Sequence, residues 1–220
     1  MNGVTAPVGE VLSPSQVRCF MDCQMRWWFK YALKCADPAT GKMALGRAVH
    51  AALTQNFAQK VETLKDLPVP GVVALFRDAW AHEREQTEFR DDEDPAELGA
   101  CGEALVSKYM DQAAPLLEPA AVEMRVEGTI GGIQVQGWID LLDVNGRIID
   151  LKTAARKPSG IESDYKFQIA TYTQLTRARV VRRAWTPWSP KHPLWSCKTS
   201  PSPSRMSWQP RSCTRWRSNR

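Results

Sequence analysis

The sequence predicts an α+β fold in which a helical N-terminal part packs on a small sheet. Three observations predict it. Apolar residues recur at helical spacing through most of residues 13–112. The spacing then becomes alternating across about 121–154, and an Asn145-Gly146 pair divides that stretch in two. A period near 3.6 marks a helix with one buried side, and a period of 2 marks a strand with one buried face. Asn-Gly between alternating runs favours a hairpin. Helices followed by consecutive strands give an α+β arrangement with an antiparallel meander.

The first helix begins in "LSPSQVRCFMDCQMRWWFKYALK". Ser13 is placed to be its N-cap, Pro14 its first residue and Gln16 the reciprocal capping side chain. Val17, Phe20, Met21, Trp28 and Tyr31 make its apolar side. A second helix is expected from about Met43 to Lys60, and a third from about Val72 to Arg90. The acidic run "DDEDPAE" interrupts as a loop or cap. A fourth helix from about Ala96 to Gln112 carries Leu98, Leu105, Val106 and Tyr109. Strands follow at roughly 121–130, with Val122, Met124 and Val126 on one face, then at 133–143 and 147–154. After a polar loop, "DYKFQIATYTQL" returns to helix from about Ser163 to Leu175.

Charge divides the chain. Residues 177–220 hold 11 Lys or Arg, no Asp or Glu, and five of the nine Trp, whereas residues 1–176 carry a net charge of −6. The expected organisation is therefore a domain over 1–176 and a basic tail rich in Trp, Arg, Ser and Pro over 177–220. Such a tail reads either as a nucleic-acid arm with stacking aromatics or as coding DNA translated out of frame. The abrupt loss of acidic residues and the five Trp favour the second. Its composition predicts no packed core. No run of about 18 apolar residues suggests a membrane span. The N-terminal residues lack a basic segment followed by an apolar one, so no secretory signal is expected. The scattered cysteines suggest free thiols and a cytoplasmic protein.

The chemistry concentrates in "GWIDLLDVNGRIIDLKTA", residues 137–154. Asp150 and Lys152 are two apart and share a strand face. A two-residue turn at Asn145-Gly146 would set Asp140 opposite Leu151. A three-residue loop over Val144-Asn145-Gly146, with Gly146 left-handed, would set Asp140 opposite Asp150. The second register gathers Asp140, Asp150 and Lys152 on one face and leaves Ile139, Leu141, Ile149 and Leu151 on the other, and we expect it. Two neighbouring carboxylates repel unless a cation lies between them. Oxygen ligands suit Mg²⁺ or Mn²⁺, and an adjacent ammonium suits stabilisation of charge on a phosphate. Taken alone, a D-x-K pair is more often a solvated surface pair.

The pair is not alone. "SPSQVRCFMDCQMRWWFKY", "LGRAVHAAL", "GWIDLLDVNGRIIDLKTA" and "QIATYTQL" follow one another over residues 12–175. In this order they resemble the PD-(D/E)XK nuclease superfamily, and most closely the RecB-type exonuclease family. Each piece is weak, and the ordered set is specific. The resemblance implies a restriction-endonuclease-like core with a small mixed sheet. It implies that Asp140 and Asp150 bind metal, with the backbone carbonyl of Leu151 as a third oxygen, and that Lys152 orients the attacking water. His50 becomes a further metal ligand, one turn beyond a close-packing Gly46. Gln168 and Tyr172, four apart on one helix side, contact the DNA backbone or position Lys152. An ordinary polar helix face accounts for Tyr172 equally well.

Glu123 is a minor metal candidate, since a solvated strand Glu is commoner. Arg26, Lys30 and Lys34 are candidates for phosphate contact, although a solvated helix face is the plainer reading of each. Trp27 and Trp28 are expected in the core. Some relatives carry an iron–sulfur cluster on one N-terminal and three C-terminal cysteines. Cys23 stands in the first place, but the tail offers only Cys197 and Cys213, so no cluster is expected.

The resemblance implies a metal-dependent nuclease, expected to be an exonuclease, using Mg²⁺ or Mn²⁺. DNA is its expected partner in recombination, repair, phage or defence processes, with a helicase or recombination protein alongside and no membrane. The alternatives are a catalytically inactive DNA-binding accessory subunit and an unrelated α+β interaction domain.

Overall fold

The computed structural model describes residues 11–35, 39–153 and 163–176. Within them, a short strand β1 (Val11–Leu12) leads into α1 (Pro14–Asp22), α2 (Gln24–Trp27) and a π-helical turn (Trp28–Ala32). Three long helices follow: α3 (Gly41–Thr63), α4 (Val69–Glu85) and α5 (Pro95–Gln112). The strands β2 (Pro119–Ile130), β3 (Ile133–Asp143) and β4 (Ile148–Ile149) come next, and α6 (Ser163–Thr176) closes the described chain. The expected α+β class is what forms: helices first, then a small mixed sheet. The basic tail lies outside the described residues.

The capping box at Ser13 forms as read. Gln16 donates its backbone N–H to the Ser13 hydroxyl, and Ser13 N donates to Gln16 Oε1 at 2.8 Å. The helix does not run on, however. Cys23 is extended (φ −162°, ψ 106°) and separates α1 from α2. That break re-aims the apolar side. Cys19 and Trp27 are buried, while Phe20 and Met21, expected inward, are exposed. Trp28 is half-buried.

The long helices share one core. Ala44, Leu45, Ala48, Val49, Ala52, Leu53 and Phe57 of α3 meet Val72, Phe76 and Trp80 of α4 and Val106 and Met110 of α5. Small residues on α3 and α5 allow close helix approach, and a Cβ at Gly102 would overlap the Phe76 ring. The loop after α3 is pinned by polar groups from inside the core. Asn56 donates to Asp66 at 2.8 Å and accepts from Leu67 N at 2.7 Å. Lys60 Nζ donates to Asp66 and to the Ala114 carbonyl, each at 2.7 Å. Burying these groups is tolerable because each is paired. Helix α4 ends at Glu85 and not near Arg90. There Thr87 donates its hydroxyl to the Glu83 carbonyl at 2.6 Å and bridges to Ala39.

The sheet order is β1-β3-β2, with β4 also pairing β3. Strand β1, too short to leave a periodic signal, runs parallel to β3, and β2 and β4 run antiparallel to it. The loop between β3 and β4 is the three-residue one. Leu141 pairs with Ile149 and Leu142 with Ile148, and Gly146 sits at φ +73°. Buried Asp143 fixes the loop by accepting from Asn145 N and Arg147 N at 2.9 and 2.8 Å.

Two strand expectations need correction. The strand read over 147–154 shortens to Ile148–Ile149, because the Leu151 N–H goes to the Asp140 carboxylate and not to a backbone carbonyl. The clean separation of faces also fails. Leu141, Ile149, Leu151 and Val122 join the helical core. Ile139, Met124 and Val126 instead form a second cluster with Ile148, Tyr172, Ile169 and Leu175. On β2 the switch falls at Glu123, whose left-handed backbone (φ +48°) breaks the alternation.

Candidate metal centre

Three elements converge at one end of the sheet. Helix α3 brings His50, β2 brings Glu123 and β3 brings Asp140. His50 Nε2 lies 3.3 Å from Asp140 Oδ2 and 3.5 Å from Glu123 Oε1. Their ligand atoms all lie within 4.8 Å of one another. The left-handed turn at Glu123 aims its carboxylate at the group, and Thr54, one turn beyond His50, donates to Glu123 Oε1 at 3.4 Å. Asp140 Oδ2 also accepts the Leu151 N–H at 2.6 Å, which fixes that carboxylate.

A second string of contacts lies alongside. Asp150 Oδ1 accepts from Lys152 Nζ at 2.9 Å and from Gln168 Nε2 at 3.2 Å, and Gln168 Nε2 lies 3.3 Å from the Tyr172 hydroxyl. Gln168 and Tyr172 therefore share a side of α6, as their spacing requires. The Lys152 ammonium stands 5.9 Å from the centre of the Tyr165 ring. Gly46 lets α3 approach this segment, since a Cβ there would lie 2.8 Å from Thr153 Oγ1. Gly46, Val49, His50, Leu53, Tyr109, Leu151, Lys152 and Thr153 line the cleft between them.

The charges respond to this crowding. The hydrogen bond to Asp140 raises the His50 pKa above its usual value against the cost of burial, and the charges of Asp140 and Glu123 add to it. Burial raises the Asp150 carboxyl, and Asp140's charge adds to that, while Lys152 opposes it. Burial works against the Lys152 ammonium, but Asp150 and Asp140 outweigh it and hold its pKa above the ordinary value. Tyr109, deep in the cleft, is pushed well up by burial and by the charges of Asp140 and Asp66. A proton on His50 thus sits beside two carboxylates, where a divalent cation would serve the same electrostatic purpose. One imidazole and two carboxylates form a donor set that fits such an ion, including Mg²⁺ or Mn²⁺.

The site residues expected from sequence fall into these two groups. His50 and Asp140 stand with Glu123, whereas Asp150, Lys152, Gln168 and Tyr172 form the adjoining string. Asp150 is engaged by Lys152 and Gln168 and lies outside the trio. Leu151 contributes its N–H to Asp140. Arg26, Lys30 and Lys34 remain on the N-terminal arm, Arg26 beside Asp22 at 3.3 Å and Lys30 over the Tyr31 ring at 5.8 Å. Sequence reading missed Thr54, Tyr109 and Tyr165. Thr54 is four residues after His50, and Tyr165 is three before Gln168, so helical spacing from the named residues could have found both.

A family profile described as the PD-(D/E)XK nuclease superfamily matches residues 11–192. The chain belongs to the PD-(D/E)XK nuclease superfamily. No curated protein matches the chain. Members of this superfamily are nucleases that use divalent metal ions and act on DNA, and the His50–Glu123–Asp140 cluster suits such an ion. The profile extends past α6 into the first part of the basic tail. No helix among the described residues is long and apolar enough to cross a membrane.

Proposed function

We propose that the protein is a RecB-type exonuclease that uses Mg²⁺ or Mn²⁺ to hydrolyse phosphodiester bonds in DNA. The observation that carries this reading is the adjacency of the His50–Glu123–Asp140 trio to the Asp150–Lys152 pair. His50, Asp140, Asp150 and the Leu151 carbonyl would hold the metal, with Glu123 as a further ligand. A bound ion would supply Lewis acidity toward the phosphate and a lowered pKa for water. Lys152 keeps its proton and so offers a fixed positive charge to orient the attacking water and to offset charge developing on the phosphate. Gln168 steadies Asp150, and Tyr172 steadies Gln168 from the next turn of α6.

The same reading places the chain in recombination, repair, phage or defence processes in the cytoplasm, with a helicase or recombination protein as its partner. It assigns the nuclease to residues 1–176 and treats 177–220 as a separate basic segment translated out of frame, against the profile match that runs on to residue 192. Translation of the underlying DNA in the other two frames tests that assignment. An ordinary globular continuation in one frame is expected, and its absence from both would leave a nucleic-acid arm instead.

The activity is tested with end-labelled linear and closed circular DNA in Mg²⁺ or Mn²⁺. An exonuclease degrades the linear substrate and spares the circle. Cutting of the circle would make it an endonuclease, and no cutting of either would favour an inactive accessory subunit.

A further inference from the structure

The outer half of the β2–β3 hairpin has two unlike faces. Helix α6 covers one, since a Cβ on Gly137 would meet Tyr172 and a Cβ on Gly128 would meet Leu175. The other face carries exposed Arg125, Glu127, Thr129, Gln134 and Trp138. Neighbours on a strand project oppositely, so Trp138 points away from α6. Trp138 is 55 % exposed on an otherwise polar face.

A single exposed Trp carries little by itself. Its register decides the matter. Trp138 and Asp140 are two apart on β3, about 6.6 Å apart along the strand. Arg125 pairs directly with Trp138, and the pairs Met124–Ile139 and Val122–Leu141 bracket Glu123 and Asp140 on the same two strands. The hairpin therefore carries two carboxylates with His50 beside them and then, one step along the strands, a guanidinium and an indole. Arg125 Nη2 is held by Glu127 at 2.8 Å and by Gln136 at 3.2 Å, which fixes the guanidinium on this face.

We propose that Trp138 is a stacking platform for a base of single-stranded DNA whose phosphate lies at the His50–Glu123–Asp140 trio, with Arg125 facing the neighbouring phosphate. The inference rests on the nuclease reading above and adds the substrate class to it. A strand alternates phosphates and π-faces, and this stretch of the hairpin sets an acidic cation site next to an aromatic ring and a cation. A duplex keeps its bases stacked on one another and offers no face to an indole lying on a sheet. An unpaired or frayed end does, and stacking on an aromatic ring tolerates any base.

The test uses the full chain in Ca²⁺ and short fluorescein-labelled single strands, each lacking one base near the end, with a blunt duplex for comparison. Anisotropy gives the affinity, and each oligonucleotide is checked to be intact afterwards. The unmodified protein is expected to prefer the single strand. It should lose about fivefold to a hundredfold in affinity when one particular base is absent. Trp138→Ala is expected to show that loss with the complete strand and no further loss with the abasic one, and Trp138→Phe is expected to keep most of the affinity. Equal affinity for duplex, insensitivity to every abasic position, an unchanged Trp138→Ala protein, or no DNA binding would each overturn the proposal. The abasic series on the unmodified protein does not depend on the fold of any variant. Cleavage in Mg²⁺ or Mn²⁺ is measured in parallel. Base-dependent binding without cleavage upholds the platform and sinks the nuclease reading. Cleavage indifferent to Trp138 does the reverse.

Discussion

Asp140 accepts the backbone N–H of Leu151 at 2.6 Å just after β4 has ended, so a site carboxylate, and not a backbone carbonyl, closes the hairpin there. The same oxygen faces His50 Nε2 at 3.3 Å. Structure and charge are therefore joined at one atom.

The first prediction concerns His50. Its pKa in the folded protein is raised by the Asp140 hydrogen bond, against an unfolded value of about 6.5. A raised folded pKa means that the native state holds the proton more tightly. The resulting stabilisation is complete below about pH 6.5 and is lost as pH rises through the folded value. In the metal-chelated protein, an NMR titration should place His50 above the ordinary histidine range. Asp140→Ala should bring it down, and an unchanged His50 would show that the pair does not set its charge.

A second prediction separates Asp150 from Lys152. An ammonium is no ligand, so Lys152→Ala should leave metal affinity largely intact while turnover falls by about a hundredfold or more, as expected when a positioned charge is removed from a reacting group. Asp150→Ala should weaken metal binding and turnover together. Calorimetric metal titration beside a nuclease assay checks both variants. Equal loss of metal affinity in the two would make Lys152 a structural tie to Asp150.

Glu123 allows a prediction in which function and stability part. Its backbone is left-handed (φ +48°), at a cost of about 1–2 kcal/mol for a residue with a Cβ. Glycine removes that strain and, with it, the carboxylate. Glu123→Gly is therefore expected to bind metal more weakly while its stability to urea stays level or rises, glycine's extra unfolded-state freedom offsetting part of the gain. Glu127→Gly, on regular strand, should instead lose about 0.5–1 kcal/mol. Parallel destabilisation of both variants would remove strain at Glu123 as an explanation.

These residues also show what the sequence could and could not reveal. The helices of the core, the capping box at Ser13 and the three-residue loop at Gly146 were legible because each rests on local chemistry: periodicity, a cap, a residue that tolerates positive φ. The nearness of Asp140, Asp150 and Lys152 follows from the three-residue loop, while their roles rest on the resemblance those motifs carry. Glu123 reads from sequence as a minor candidate because its orientation depends on a backbone turn that breaks strand alternation, which spacing does not reveal. The break at Cys23 and the two-residue β1 escaped because neither alters a period long enough to read. Tyr109 enters the site only through the packing of α5 against α3, a long-range fact that local spacing does not hold.

The last prediction tests whether α6 is part of the site's framework. Gly137 is buried on β3 directly beneath Tyr172, and a Cβ there would lie 2.8 Å from the Tyr172 hydroxyl oxygen and overlap the ring. The obstacle is a ring sandwiched between a helix and a sheet, so it cannot swing aside as a flexible side-chain end would. Gly137→Val should therefore push α6 away from β3, at a cost of about 1–3 kcal/mol in stability. Displacement of α6 would separate Gln168 from Asp150. The trio of His50, Glu123 and Asp140 draws on α3, β2 and β3 alone, so part of the metal affinity should persist. Turnover should fall further than metal binding does, because Asp150 loses its support from Gln168 while the trio keeps its ligands. Urea melts, metal calorimetry and the nuclease assay on one variant decide it. If Gly137→Val melts lower yet turns over normally, α6 steadies the fold without positioning Asp150.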